Sequence, residues 1–151
     1  MRALIQRVTS ASVSTEGKET RRIGAGYVIL LGVGPDDTEE IAEKLWAKAA
    51  KLRIFEDAEG KTNLSLRDVG GSVLLVSQFT LYADCRRGNR PSFTKGAAPD
   101  EAERLYEHFA DCVRADGVPL ETGWFGAMMQ VELVNDGPFT MWLDSDEVVR
   151  S

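Results

Sequence analysis

The chain has 151 residues, of which 43% are hydrophobic and 28% charged, and its formal net charge is -6 at pH 7. This size and apolar content suit one hydrophobic core, so we expect a single domain over residues 1–151. The excess of acidic residues argues against a protein that binds nucleic acid through the electrostatic field of its whole surface. It still allows a local cluster of basic residues to contact nucleic acid. We expect a cytoplasmic protein with no membrane association, because no apolar run is long enough to span a bilayer and no secretory leader is visible.

The two cysteines, Cys85 and Cys112, lie far apart and match no metal-binding spacing. We therefore expect free thiols in a reducing compartment. The sequence predicts neither a metal site nor a cofactor.

The first third of the chain predicts two strands and a helix. Residues 2–14 alternate loosely between apolar and polar, and residues 23–33 form a glycine-rich apolar run, which together predict a hairpin. The glycines do not form a dinucleotide-binding fingerprint, because Ile29 stands where its third glycine would be. Residues 35–40 open a helix that Asp36 or Asp37 caps. Its core-facing stripe has helical spacing and comprises Ile41, Leu45, Ala49 and Leu52.

The middle of the chain places polar residues at the end of a buried strand. Short extended pieces are predicted at residues 53–55 and 64–66, and the aliphatic run at 73–76 predicts a core strand. Ser77-Gln78-Phe79-Thr80 follows directly. If the strand continues, Gln78 and Thr80 share one face, so an amide and a hydroxyl form a polar site.

A loop rich in Arg, Gly, Pro and Lys comes next, at residues 84–98. Its cations have two interpretations, a solvated loop or a phosphate contact beside the polar site. Charge alone favours the solvated loop. The cations in question are Arg86, Arg87, Arg90 and Lys95.

The last third predicts a helix and three strands. The helix begins at Pro99 and carries the single histidine, His108, to which we assign no catalytic role. Strands follow at 120–125, 128–134 and 139–143, and residues 135–138 are interpreted as a plain turn. The order ββ-α-ββ-α-βββ predicts an α/β fold with a mixed, curled sheet and two helices packed on one side.

The residue inventory restricts the chemistry. With no plausible Cys-His or Ser-His pair and no metal cluster, the usual hydrolase nucleophiles have no activating base. Two classes remain. One is an enzyme that positions an already reactive substrate, and the other is a binding module without chemistry.

Four segments, in this order along the chain, resemble the motifs of the D-aminoacyl-tRNA deacylase family. They are Ser77-Gln78-Phe79-Thr80, residues 88–93, residues 123–129 and residues 135–140, and the opening residues 1–8 are also similar. The resemblance covers essentially the whole chain. It implies hydrolysis of the ester between a D-amino acid and tRNA, a proofreading step in translation, and removal of glycine mischarged onto tRNA.

The resemblance also implies which residues act. It places Ser77, Gln78, Phe79 and Thr80 in the catalytic pocket of a homodimer. Gly137-Pro138 would have a cis peptide bond and reach into the partner's pocket, where its carbonyl oxygens exclude L-amino acids. Arg86, Arg87 and Arg90 would contact the tRNA.

Two other functions stay open at this point. One is a module that binds a tRNA end or a nucleotide without turnover. The other is a hydrolase that uses Thr80 as a nucleophile, which would form a covalent acyl intermediate.

Overall fold

One long strand at the start of the chain organises the sheet. The computed structural model describes residues 1–149, so the last two residues of the predicted domain 1–151 lie outside the described part. Strand β1 (Arg2–Ser14) pairs antiparallel with β2 (Arg21–Ile23) and β3 (Gly26–Gly32). Strands β6 (Ser72–Ser77) and β7 (Leu120–Thr122) extend the sheet in parallel beyond β3. The last strand, β8 (Gln130–Asp144), pairs with β1 near both of its ends, with an interruption at residues 136–139.

The curl of this sheet produces two cores. Alternate residues of β1 point to opposite faces, so Ala3 and Ile5 lie in the larger core between sheet and helices, while Val8 lies in a smaller one. The irregularity between Val8 and Ser10 shifts the alternation by one residue, which places Val13 in the smaller core with Val8. Two helices cover the larger core, and the rings of Trp46 and Phe109 meet edge to face at 5.9 Å between them. The predicted mixed, curled sheet with two helices on one side is confirmed.

The helices begin for local reasons. Helix α1 (Glu39–Lys51) is capped by Thr38, whose hydroxyl accepts a hydrogen bond from the Ile41 N–H at 3.2 Å. The predicted cap at Asp36 or Asp37 is wrong, because the Asp37 carboxylate accepts instead from the Gly34 N–H and from the Met1 ammonium group. Helix α2 (Pro99–Ala115) starts at a proline, as expected, and a short helix α3 (Ser145–Val148) follows β8.

Two predicted strand boundaries are wrong. The short strands β4 (Phe55–Glu56) and β5 (Thr62–Leu64) form a separate hairpin, so the predicted pieces are displaced along the chain. The predicted strands 128–134 and 139–143 are parts of the single strand β8. Residues 135–138 lie within it as an irregularity, where the register against β1 shifts between Gln6 and Ser10. Pairing on both sides of the shift keeps the strand continuous.

No helix within residues 1–149 has the length and apolarity needed to cross a membrane.

Candidate active site

The polar site lies where the chain leaves β6. The strand predicted at residues 73–76 is confirmed as β6, but it does not continue through Thr80, because it ends at Ser77 and Phe79–Tyr82 form a 3₁₀ turn. Gln78 joins the two elements, and its backbone N–H donates to Leu31 O at 2.8 Å. The Gln78 side-chain Nε2 donates to Thr80 Oγ1 at 2.5 Å. The amide and the hydroxyl are therefore adjacent, as expected, but a turn brings them together.

The end of β3 leaves room for this turn. A β-carbon at Gly32 would lie 3.1 Å from both Gln78 O and Leu81 Cβ. A β-carbon at Gly34 would lie 2.9 Å from the Tyr82 hydroxyl. Both separations are tighter than ordinary van der Waals contact, so glycine at these positions lets the 3₁₀ turn pack directly on β3.

The start of β1 holds the same turn from the other side. Arg2 Nη1 donates to Leu81 O at 2.8 Å, and its guanidinium carbon lies 4.3 Å from the centre of the Tyr82 ring. Burial raises the pKa of Tyr82, and Asp37 raises it further, so this hydroxyl stays protonated. The turn that carries Thr80 is thus fixed by packing and by a charged hydrogen bond.

Residues 84–96 form a pinned loop beside the turn. Two backbone hydrogen bonds join Asp84 and Ser92, at 2.7 and 2.9 Å. The Asp84 carboxylate accepts from Arg86 Nε at 2.9 Å and lies 3.3 Å from Lys95 Nζ. The hydrogen bonds from Arg86 hold the pKa of Asp84 well below its usual range.

The three arginines that the resemblance assigns to tRNA are therefore not equivalent. Arg86 is engaged with Asp84. Arg87 and Arg90 form no ion pair or hydrogen bond within residues 1–149, and both are exposed. Of these three arginines, Arg87 and Arg90 offer a guanidinium group that is not engaged within residues 1–149.

Gly137 and Pro138 lie in the irregular part of β8 and are joined by a cis peptide bond. The Asn135 side chain spans this segment, since its Oδ1 accepts from the Phe139 N–H at 2.6 Å and its Nδ2 donates to Thr140 Oγ1 at 2.8 Å. The interpretation of residues 135–138 as a plain turn between strands is wrong, because they lie inside one strand and are held by their own side chains.

A buried arginine also holds this segment. Arg7 is 6% exposed; its Nε donates to Asp136 O at 2.9 Å and its Nη1 to Ile54 O at 2.6 Å. Sequence analysis missed Arg7. The alternation of the sequence could have indicated it. Arg7 is two positions after Ile5 and four after Ala3, so it shares their buried face of β1, where a charged side chain requires a partner.

Two arginines of β1 hold the two motifs at different points along the strand. Arg2 contacts the turn that carries Thr80, and Arg7 contacts the segment that carries Gly137. These arginines are five positions apart on β1, which is ~16 Å of strand and places them on opposite faces. The turn that carries Thr80 and the segment that carries Gly137 are therefore held by different faces of β1.

The lone histidine lies between the helices. His108 Nε2 is 2.9 Å from Glu43 Oε1, which joins α2 to α1 in the helical layer. Within residues 1–149, no group of three or more His, Cys, Asp or Glu side chains is arranged to hold a metal ion. His108 is therefore engaged in the helical layer and is not one of the hydrogen-bond partners of the Gln78-Thr80 pair.

Comparison with known proteins adds independent information. Residues 4–144 match the family model described as D-Tyr-tRNA(Tyr) deacylase. A D-aminoacyl-tRNA deacylase of Fervidobacterium nodosum is 57% identical over 148 residues, which cover 98% of this chain and 99% of the relative. One of Escherichia coli O1:K1 is 58% identical, covering 95% and 99%.

Two solved structures share the fold. One, described as c-Myc DNA Unwinding Element Binding Protein, has a TM-score of 0.89 and 40% identity, covering 95% of this chain and 98% of its own. The other, described as a probable eukaryotic D-amino acid tRNA deacylase, has a TM-score of 0.82 over 94% of this chain and 97% of its own. Its identity is 18%, so this second likeness concerns the fold alone.

Proposed function

The chain belongs to the D-Tyr-tRNA(Tyr) deacylase family, and we propose that it hydrolyses the ester bond of D-aminoacyl-tRNA. The products are the free D-amino acid and tRNA, so the reaction is a chiral proofreading step in translation. The observation that carries the proposal is 57% identity to a D-aminoacyl-tRNA deacylase across 98% of the chain.

The proposed chemistry relies on orientation. A water oxygen bonds to the ester carbonyl carbon, the bond from that carbon to the ribose oxygen breaks, and the ribose oxygen takes a proton. Phe79 and Thr80 open the 3₁₀ turn, so their backbone N–H groups have no acceptor within it and are free to donate to the developing oxyanion. The ester is already activated, and the vicinal 2′-hydroxyl of the ribose helps to position or deprotonate the water.

Thr80 acts in this scheme as a positioning group. Its Oγ1 accepts from Gln78, which leaves its own proton available to donate to the ribose or the ester. A nucleophilic role would need a base to remove that proton, and His108 lies in the helical layer with Glu43. Trapped reactions analysed by mass spectrometry would reveal an acyl group on Thr80 if it were the nucleophile, and we expect none.

Chiral selection is assigned to Gly137 and Pro138. Rejecting an L-amino acid by about 10⁴ requires roughly 5.5 kcal/mol, which fixed carbonyl groups supply by steric exclusion. Two hydrogen bonds support this assignment, because they hold the segment in place. Arg7 Nε donates to Asp136 O, and the Phe139 N–H donates to Asn135 Oδ1. A filter made of backbone atoms tolerates many side chains and does not exclude glycine, so we include mischarged glycyl-tRNA among the substrates.

The proposed site needs two copies of the chain. Arg2 and Arg7 hold the two segments from opposite faces of β1, about 16 Å apart along the strand, so we assign the selecting carbonyls to a partner subunit. Strand β8 is available for this contact, because Val134 is 55% exposed and Trp142 is 46% exposed. Exposed apolar side chains on one edge strand are typical of a surface that another chain covers.

The test compares matched D-tyrosyl-tRNA and L-tyrosyl-tRNA with a chelator present. We expect rapid loss of the D-ester alone. Equal rates for the two esters would contradict the chiral filter, and activity that the chelator abolishes would contradict the metal-free scheme.

A second candidate is a nucleic-acid-binding module without turnover. It is favoured by the 40% identity to the protein described as c-Myc DNA Unwinding Element Binding Protein. If the D-ester persists while the tRNA end still binds, this second function replaces the first.

A further inference from the structure

Two exposed phenylalanines form a continuous apolar surface next to Thr80. Phe79 is 61% exposed and Phe93 is 45% exposed. Their ring centroids are 5.2 Å apart, with an interplanar angle of 73°. Two rings in contact at the rim of a polar site differ from the single apolar side chains that are scattered over any surface.

The scaffold holds both rings in place. Phe79 begins the 3₁₀ turn. Phe93 follows Ser92, which is fixed to Asp84 by two backbone hydrogen bonds of 2.7 and 2.9 Å. The ring pair is therefore largely organised before any ligand arrives, which lowers the entropy lost on binding.

The charge around the rings identifies the kind of partner. The tip of the same loop carries Arg87 and Arg90, neither of which is paired within residues 1–149, whereas Asp84 is already engaged with Arg86. Aromatic rings combined with free guanidinium groups are typical of surfaces that bind single-stranded nucleic acid. A second copy of this chain, with a net charge of -6, offers the arginines a less suitable partner than a polyanion does.

We propose that Phe79 and Phe93 stack against an unpaired nucleotide of the tRNA 3′ end upstream of the terminal adenosine, while Arg87 and Arg90 contact its phosphates. This rests on the proposed function, which places the terminal ester at Thr80. Stacking uses the aromatic face that every base has, so this contact does not depend on which base is present. Arginine binds phosphate oxygens in a bidentate manner.

The first test compares two substrates, D-tyrosyl-tRNA and the D-tyrosyl ester of adenosine, which has no upstream nucleotide. We expect Phe93→Leu to lower the ratio of kcat/KM for the tRNA to kcat/KM for the nucleoside ester roughly five- to hundredfold, the range for losing one stacked base. Phe93→Tyr keeps an aromatic face and should restore the ratio. Val69→Ala removes an exposed apolar group elsewhere and is the control.

Each outcome has one meaning. An unchanged ratio for Phe93→Leu overturns the stacking proposal. An equal loss on both substrates, with dissociation of a dimer in sedimentation, also overturns it and shows that a second copy covers the rings. If the unaltered protein cleaves neither substrate, the proposed function fails instead.

The second test separates the arginines by salt dependence. Each phosphate contact to a single strand contributes about 0.7 to the slope of log affinity against log salt. Arg87→Gln and Arg90→Gln should each reduce the slope for tRNA by about that amount. Arg86→Gln is the matched control, because Arg86 is engaged with Asp84. Equal effects of all three substitutions would overturn the assignment of the phosphate contacts.

Discussion

The Thr80 hydroxyl accepts a hydrogen bond from Gln78 and has one proton of its own to donate. Thr80→Val removes that hydroxyl with little change of shape. We expect kcat for D-tyrosyl-tRNA to fall about 10²-fold, because a donor used mainly in the transition state is lost, while KM changes little. Single-turnover hydrolysis measures this.

Thr62→Val, on the exposed strand β5, is the control for Thr80→Val. A rise in KM with unchanged kcat would contradict the role, since it would show that Thr80 only contributes to ground-state binding.

Gly137 has a φ of 146°, and a β-carbon added there would lie 2.8 Å from the Phe139 backbone N. Gly137→Ala must therefore shift the backbone that carries the selecting carbonyls. We expect the ratio of kcat/KM for D- over L-tyrosyl-tRNA to fall about tenfold or more. Matched hydrolysis assays measure the ratio, and thermal unfolding measures the accompanying loss of stability.

Gly60→Ala is the control that distinguishes a role of Gly137 in selectivity from an effect of backbone strain alone. Gly60 also has a positive φ, 78°, but nothing lies within 4 Å of an added β-carbon. Alanine at position 60 bears a backbone strain of roughly 1–2 kcal/mol. Alanine at position 137 bears a backbone strain of roughly 1–3 kcal/mol and, in addition, the 2.8 Å contact with Phe139 N. If Gly137→Ala merely unfolds and the folded fraction retains full discrimination, the segment is structural only.

At the scale of elements, the pinned loop has a predictable response to pH. The hydrogen bonds from Arg86 lower the pKa of Asp84 from its ordinary value of 3.8. A lowered folded-state pKa means that the pairing is fully present above the ordinary value and is lost only as the pH falls through the lower, folded value. We expect carbon NMR to show the Asp84 carboxyl titrating below the ordinary value.

Arg86→Gln should raise the Asp84 titration midpoint toward the ordinary value, because it removes the largest cause of the shift. A midpoint at or above the ordinary value in the unaltered protein would show that the Asp84-Arg86 pair does not form in solution.

Periodicity in the sequence located most elements, because apolar spacing records which face is buried. It located β6 to within one residue at each end but did not predict the 3₁₀ turn at Phe79, since that turn packs on Gly32 and Gly34, which are distant in sequence. It also divided β8 in two. Asn135, Asp136, Gly137 and Pro138 have the composition of a turn, and only pairing with β1 keeps them in a strand.

At the scale of the whole molecule, the separation of the motifs predicts that subunit exchange restores selectivity. Thr80→Val homodimers are nearly inactive, whereas Gly137→Ala homodimers are active but poorly selective. In a heterodimer of the two chains, one site receives both changes and the other receives neither. After an equimolar mixture has re-equilibrated, half of the sites with an intact Thr80 also have an intact Gly137, so we expect the ratio of D- to L-tyrosyl-tRNA hydrolysis to rise about twofold or more. Hydrolysis of both esters before and after mixing measures this ratio.

An unchanged D/L ratio, with subunit exchange shown by mass spectrometry, would mean that each chain builds its site alone. Composition and periodicity could not predict a shared site, because they describe one chain. The family resemblance supplied that expectation, and the opposite faces of β1 give it a physical basis.

The glycines at the end of β3 have a consequence for how this sequence tolerates change. Gly32 and Gly34 touch no substrate in the proposed scheme, yet added β-carbons there would press on the turn at distances of 3.1 and 2.9 Å. In a library of random variants selected for growth in the presence of D-tyrosine, both positions should be as depleted of substitutions as position 80. A search for functional residues by mutational sensitivity would thus report part of the scaffold with the same strength as the site it supports.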